Sequence, residues 1–199
     1  MRLEVRRPSG PPEDSVAMRV VVASAVEVAI AAVVAQPGAV PAPVAIASLM
    51  LAPAGYWYSY RHRRSPNLLL KIALSIALLA ALGQFLGDVR GVVSVDQARI
   101  PLASLFLWVQ VLHAFDVPRR RDLAFSMVSS LILIAEAGSL SLSTSFLVFL
   151  LPWAGLGGAW LSLSARPRAD QVTTPEAVRR YAGKRAPSRT AVDTPRAPM

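Results

Sequence analysis

A short polar segment between two long apolar runs constrains the fold more than any other feature of the sequence. The polar segment spans residues 116–122, and the apolar runs span residues 100–115 and 123–137. Three consecutive residues of the segment are arginines: Arg119, Arg120 and Arg121. Guanidinium groups are costly in hydrocarbon, so the segment is expected in water or among lipid headgroups. The flanking runs are long enough to cross most of a bilayer, which predicts a helical hairpin with a cytoplasmic closed end.

The rest of the composition fits an integral membrane protein. Hydrophobic residues make up 54% of the chain, and the charged 17% cluster where apolar runs end. The formal net charge of +9 could indicate nucleic-acid binding. However, the basic residues fall in short segments between apolar runs, as the positive-inside rule requires, so no nucleic-acid partner is predicted. The chain has no cysteine, which excludes a disulfide framework, a thiolate metal site and a cysteine nucleophile within it.

The alternation of apolar runs and polar segments predicts an all-α, polytopic protein with three regions. Residues 1–19 are expected to form a disordered arm, residues 20–164 a six-helix transmembrane domain, and residues 165–199 a disordered basic tail. The six predicted spans are residues 20–36, 41–58, 68–86, 101–115, 122–138 and 144–163.

The distribution of basic residues orients these spans. With six spans, only Arg90 and Arg99 would face outward, and every other Lys and Arg would be cytoplasmic. At the end of the second span, aromatic residues are followed by basic ones, in the sequence YWYSYRHRR from Tyr56 to Arg64. This pairing is typical of a cytoplasmic interface. The chain is therefore expected in the bacterial inner membrane, in contact with the lipid bilayer, with both termini cytoplasmic.

Two helix starts can be predicted from local signals. Pro101 suits the first position of the fourth helix, which leaves residues 88–99 as the longest internal loop. Asp122 suits the N-cap of the fifth helix, where its carboxylate also faces the positive helix terminus. Asp116 would then lie at the unfavourable end of the fourth helix, and an ion pair with the arginines of the segment is expected to offset it.

Four polar residues in or near the predicted spans are candidates for chemistry: Glu27, Gln84, His113 and Glu136. An intramembrane carboxylate can serve a proton relay. It can also be structural, protonated or close to an interface, and the position of Glu136 near its helix end favours that interpretation. His113 lacks further ligands at matched spacing, so a hydrogen-bonded or interfacial histidine is predicted instead of a metal site. No cofactor is predicted.

The stretch HAFDVPRRRDLAFSMVSSLILIAEAGSLSLSTSFLVFL, from His113 to Leu150, resembles the N-terminal membrane domain of bacterial TgpA-type transglutaminase-like proteins. The likeness lies in the order of an apolar helix, a basic segment ending in Arg121–Asp122, a serine-containing helix, a short outer turn and another apolar helix. It extends over residues 68–163. In that family a further helix and an extracytoplasmic Cys-His-Asp domain follow. This chain has neither a cysteine nor a seventh span, so no catalytic residue carries over.

The resemblance implies a membrane-anchoring domain, a fragment or a split gene product, that is not itself an enzyme. It would position a transglutaminase-like catalytic module or associate with other membrane subunits. One alternative is a small transporter or channel with Glu27, Gln84 and Glu136 along a path, although no inverted repeat supports it. Another is a membrane enzyme acting on lipid-linked substrates, with His113 and Asp116 near the cytoplasmic interface.

Overall fold

The computed structural model describes residues 13–64, 68–141 and 143–165, and these residues form six α-helices and no strand. The all-α class predicted from the sequence is therefore confirmed for this part of the chain. The chain divides into two compact units, residues 1–163 and 164–199. The predicted basic tail after residue 165, and residues 1–12 of the predicted arm, lie outside the described residues. The helices are α1 (Val16–Val34), α2 (Ala42–Arg61), α3 (Leu68–Val89), α4 (Val95–Ala114), α5 (Arg120–Leu140) and α6 (Leu147–Ala165), with a 3-10 turn at Thr144–Phe146 before α6.

Four segments are long and apolar enough to cross a membrane: α1, α3, α5, and α6 together with its preceding turn. The other two helices, α2 and α4, have 20 residues each and are not among these four. Buried residues concentrate on α1, where Val22, Val26 and Ile30 are fully enclosed. Helix α1 packs against α5 and α2, while α3 packs along α4. No residue of α3 is buried, and large apolar side chains cover its surface.

Helix α1 begins at Val16 because Ser15 caps it. The hydroxyl oxygen of Ser15 accepts a hydrogen bond from the backbone N–H of Met18 at 3.3 Å. This satisfies one of the amide groups that a helix start leaves unpaired. Residues 16–19, which the sequence analysis placed in the polar arm, are therefore helical.

The predicted start of α4 at Pro101 is wrong, because Ser94 caps this helix and the first helical residue is Val95. Ser94 Oγ accepts from the backbone N–H of Gln97 at 3.4 Å, and Gln97 Oε1 accepts from that of Val93 at 3.1 Å. These reciprocal bonds resemble a capping box. Pro101 consequently lies inside the helix, and the connection between α3 and α4 is shorter than the predicted loop of residues 88–99.

The predicted N-cap of α5 is also wrong. The helix begins at Arg120, with Arg119 in the N-cap position, and Asp122 lies in the first turn. The Asp122 carboxylate accepts a hydrogen bond from the backbone N–H of Arg119 at 3.0 Å. Asp122 therefore still stabilises the start of the helix, from a position three residues beyond the cap, where its negative charge faces the positive helix terminus.

Candidate functional site

Contacts between distant residues bring the ends of all six helices to one end of the bundle, here called the basic end. Asp14, before α1, pairs with Arg63 after α2. Lys71, in the first turn of α3, pairs with Asp116, which follows α4. Arg120, the first residue of α5, lies 3.5 Å from the carbonyl oxygen of Leu163 near the end of α6. Successive helices therefore run in alternating directions, and the predicted arginine segment lies at the basic end.

Arg19 forms the centre of the basic end, although the sequence analysis gave it no role. Only 5% of its surface is exposed. Its NH1 donates to the carbonyl oxygen of Val117 at 2.8 Å, and NH2 donates to that of Pro118 at 3.0 Å. Nε and NH2 both donate to the carbonyl oxygen of Glu13 at 3.1 Å. Because these carbonyls belong to the segment before α1 and the segment before α5, one side chain holds the two together.

The end of α2 completes this arrangement. The hydroxyl of Ser59 accepts a hydrogen bond from the backbone N–H of Val117 at 2.9 Å, and Val117 is fully buried. The ring of Tyr60 lies 5.5 Å from the Arg19 guanidinium carbon and 4.3 Å from that of Arg63, within the range of cation–π attraction. The basic segment of residues 116–122 is therefore fixed by α1 and α2 as well as by the helices it connects.

Asp14 and Arg63 form the outermost contact of the basic end. The Arg63 Nε lies 2.7 Å from Asp14 Oδ1, and Arg64 NH2 lies 3.3 Å from Oδ2. The hydrogen bond from Arg63 lowers the pKa of the Asp14 carboxyl below its ordinary value, and the charge of Arg64 acts in the same direction. The pair links the start of α1 to the residues after α2, although more than half of the Asp14 side chain stays exposed.

Asp116, for which an ion pair with the arginines is predicted, pairs with a lysine of another helix. The Asp116 carboxylate lies 3.1 Å from Lys71 Nζ of α3. Of the three arginines, Arg121 pairs with Asp122 at 3.4 Å, close to its own backbone. This pairing could not be predicted from the sequence, because nothing in local spacing relates α3 to the segment after α4.

His113 lies at the contact between α4 and α5. Its Nε2 lies 3.3 Å from the carbonyl oxygen of Asp122, and its ring packs edge-on against Phe125 with 4.7 Å between centroids. It thus connects the end of α4 to the start of α5. Among the described residues, no group of three or more His, Asp or Glu side chains could hold a metal ion.

The three residues proposed for a transport path lie on three different helices. Gln84 is exposed on α3. Glu27 is half-buried on α1, and Glu136 is half-buried on α5. One carboxylate oxygen of Glu136 is enclosed without a hydrogen-bond partner among the described residues, and Arg99 of α4 acts on it electrostatically. Arg99 also donates to the carbonyl oxygen of Ser139 at 3.3 Å, which joins α4 to α5 at the other end of the bundle.

A polar cluster in the bundle interior was missed by sequence reasoning. Gln110 of α4 is 1% exposed, and its Oε1 accepts a hydrogen bond from Ser129 of α5. Ser130 accepts one from Trp153 Nε1 at 3.0 Å. The Tyr56 hydroxyl and Gln110 Nε2 are enclosed without a partner in the described part of the chain. Tyr56 had been assigned to an interfacial aromatic belt but is 5% exposed, whereas its neighbour Trp57 is 61% exposed.

Comparisons with models of protein families, with curated proteins and with solved structures found no match to this chain.

Proposed function

We propose that the chain is a six-span membrane domain of the bacterial inner membrane that anchors and positions a partner and carries out no chemistry itself. The observation that carries the proposal is that α1, α3 and α5 begin at the basic end, whereas α2, α4 and α6 end there. Arg61, Arg63, Arg64 and Lys71 lie on this side together with the three arginines of residues 119–121. Under the positive-inside rule this end is cytoplasmic, and so are both chain termini.

The alternation of direction supports crossings by α2 and α4 as well as by the four more apolar helices. Helices α1 and α3 both start at the basic end, so α2 must return to it between them. In the same way α4 returns between α3 and α5. Each of these helices has 20 residues, which corresponds to roughly 30 Å at 1.5 Å per residue, about the thickness of the hydrocarbon region. Ser48 and Ser59 of α2 and Gln110 of α4 are buried in the bundle, where they do not meet lipid.

The anchoring role rests on the resemblance to TgpA-type membrane domains. The hairpin of α4 and α5, its basic connection and the following α6 have the order of elements on which that resemblance was based. The partner would be a transglutaminase-like catalytic module or another membrane subunit. The transporter alternative has less support, because Gln84 is exposed on α3, a helix with no buried residue.

Cysteine accessibility tests the proposed topology, since the natural chain contains no cysteine. Single cysteines are placed at the exposed positions Arg64 and Arg121 of the basic end, and at Gly91 and Ser143 of the opposite connections. A membrane-impermeant maleimide added to intact spheroplasts should label Gly91→Cys and Ser143→Cys only. Lysed membranes provide the matched control, in which all four should react. Labelling of Gly91→Cys and Arg121→Cys from the same side would exclude the six-span topology.

A further inference from the structure

A groove between α3 and α4 opens at the basic end and has a volume of about 320 Å³. Its residues repeat at helical spacing on both helices. From α3 come Lys71, Leu74, Ser75 and Leu78, and from α4 come Val109, Leu112 and His113, with Asp116 just beyond the helix. Lys71 and Asp116 mark one end of the groove, and Leu78 and Val109 mark the other. Leu78 follows Lys71 by seven positions, so the groove extends roughly 10 Å along the helices.

The polarity of the groove changes along this length. The end of the groove at the basic end of the bundle is polar and is lined by Lys71, His113 and Asp116. The side chains of Lys71 and Asp116 are 55% and 36% exposed. Leu74, Leu78 and Leu112 line the rest, with the Ser75 hydroxyl already bonded to the carbonyl oxygen of Lys71 at 2.9 Å. A ligand that fits both parts has a charged head and an apolar chain.

We propose that this groove binds a zwitterionic phospholipid with a primary amine in its headgroup, of the phosphatidylethanolamine class, and this proposal rests on the membrane insertion proposed above. The phosphate lies against Lys71, the ammonium lies against Asp116, and part of one acyl chain occupies the apolar length of the groove. The groove then serves as a lipid-binding site on the surface of the α3–α4 pair.

Charge complementarity selects this class of lipid. Lys71 and Asp116 have opposite charges 3.1 Å apart, so the polar mouth carries one positive and one negative group that both retain exposed surface. An anionic glycerol headgroup would match Lys71 but would face the Asp116 carboxylate without a cation. A choline headgroup has no N–H to donate. An ethanolamine headgroup offers a phosphate for Lys71 and charge-assisted N–H donors for Asp116.

The experiment uses the full-length protein in vesicles with equal amounts of phosphatidylethanolamine, phosphatidylglycerol and phosphatidylcholine. Benzoylphenylalanine replaces Leu78, inside the groove, or Leu79, which is 66% exposed on the same helix and does not line it. Photo-adducts are identified by mass spectrometry. From Leu78 the ratio of ethanolamine to choline adducts should be about 5, since the hydrogen bond to Asp116 that choline cannot donate contributes about 1 kcal/mol. From Leu79 the ratio should be about 1, the bulk value.

Substitutions of Asp116 and of Lys71 test separately the roles assigned to these two charges. Asp116→Asn should return the Leu78 ratio to about 1, whereas Asp116→Glu should retain selectivity. Asp88→Asn, at the opposite end of α3, is the matched control and should leave the ratio unchanged. Lys71→Gln should lower the total yield of adducts but not the ratio, because both lipids carry the phosphate. Thermal unfolding of each variant verifies that it is folded.

Three results would overturn the proposal. They are equal ratios at Leu78 and Leu79, predominance of the glycerol lipid at Leu78, and an ethanolamine preference that survives Asp116→Asn. Failure of the underlying membrane assignment gives a different result. In that case Leu79, whose side chain would face lipid in any inserted form, would yield no lipid adduct of any class, and the protein would not remain with the vesicles after alkaline washing.

Discussion

The guanidinium of Arg19 donates a hydrogen bond of 2.8 Å to the carbonyl oxygen of Val117, which lies 98 residues further along the chain. Arg19 stands in the first turn of α1, and Val117 stands between α4 and α5. The bond is buried, and further bonds from the same guanidinium to Glu13 and Pro118 accompany it. The first helix of the domain is thus fixed to the connection of a hairpin formed much later in the sequence. This connection is the same basic segment that the sequence analysis took as the determinant of orientation.

Arg19→Gln should destabilise the protein, because it removes the Arg19 donor from the buried carbonyl oxygens of Val117 and Glu13, whereas that of Pro118 keeps the backbone N–H of Glu13. Each unsatisfied buried group costs about 1–3 kcal/mol, so a loss of about 2–4 kcal/mol in the free energy of unfolding is expected. Arg19→Lys keeps the charge but loses the planar guanidinium, so its free energy of unfolding should lie between those of the natural protein and Arg19→Gln. Denaturation in detergent, followed by circular dichroism, measures the effect. The control is Arg121→Gln, whose side chain is 64% exposed and should change stability by less than about 0.5 kcal/mol. Equal stability of Arg19→Gln and Arg121→Gln would contradict the role given to Arg19.

Gly55 permits the close approach of α2 to the end of α4. A Cβ atom at this position would lie 2.9 Å from the Phe115 ring and 3.0 Å from the Ala114 Cβ. Gly55→Val should therefore cost about 1–3 kcal/mol by overpacking. The control is Gly83→Ala on α3, where a Cβ meets nothing within 4 Å and where alanine favours the helix. Gly83→Ala should be neutral or stabilising. Thermal unfolding of both variants in the same detergent provides the measurement, and a neutral Gly55→Val would contradict this packing.

The contact between Asp14 and Arg63 should make the start of α1 sensitive to acid. The Asp14 carboxyl has a pKa below the ordinary value of 3.8 in the folded chain, so the stabilising contribution of the pair is present at neutral pH. The contribution is lost as the pH falls below 3.8 and through the lower folded pKa, because the unfolded chain then binds the proton first. Hydrogen exchange of the Met18 and Arg19 amides, which donate to Ser15, should accelerate relative to the intrinsic rate as the pH is lowered from 7 in the natural chain. In Asp14→Asn this additional acceleration should be absent. An identical pH dependence in both proteins would exclude the pair as the cause.

Gln110 tests whether the interior polar cluster is required for stability. Its Nε2 is enclosed without a partner among the described residues, although its Oε1 is bonded to Ser129. Replacing the amide by an apolar group of similar shape removes an unsatisfied donor, so Gln110→Met should change stability by less than about 1.5 kcal/mol. The control is Leu107→Ala, one turn away and fully buried, which should cost about 2–5 kcal/mol. If Gln110→Met is as destabilising as the control, Nε2 has a partner in the folded protein, either the neighbouring Tyr56 hydroxyl or an interior water.

The sequence predicted the helices well because apolar periodicity and length are local properties. The third helix was placed at residues 68–86 and spans Leu68–Val89. Prediction from the sequence failed where one local signal outweighed another, as when Ser94 and Gln97 started α4 before Pro101. It also failed for contacts between helices. Nothing in the spacing of residues shows that Arg19 binds Val117 or that Lys71 pairs with Asp116, because both depend on how the helices pack.

The last prediction separates the packing of the basic segment from its charge. Arg19 holds this segment through backbone carbonyls, so replacing Arg119, Arg120 and Arg121 by Gln should leave most of the fold intact. The triple variant nevertheless loses three positive charges at one connection, and α4 and α5 should insert with mixed orientation. A cysteine at Ser143, after α5, should then be labelled in only part of the molecules. Arg19→Gln should show the opposite behaviour, with lower stability and one-sided labelling. If the triple variant retains one-sided labelling and full yield, the arginines do not set the topology, and binding of an anionic partner would be the role to test next.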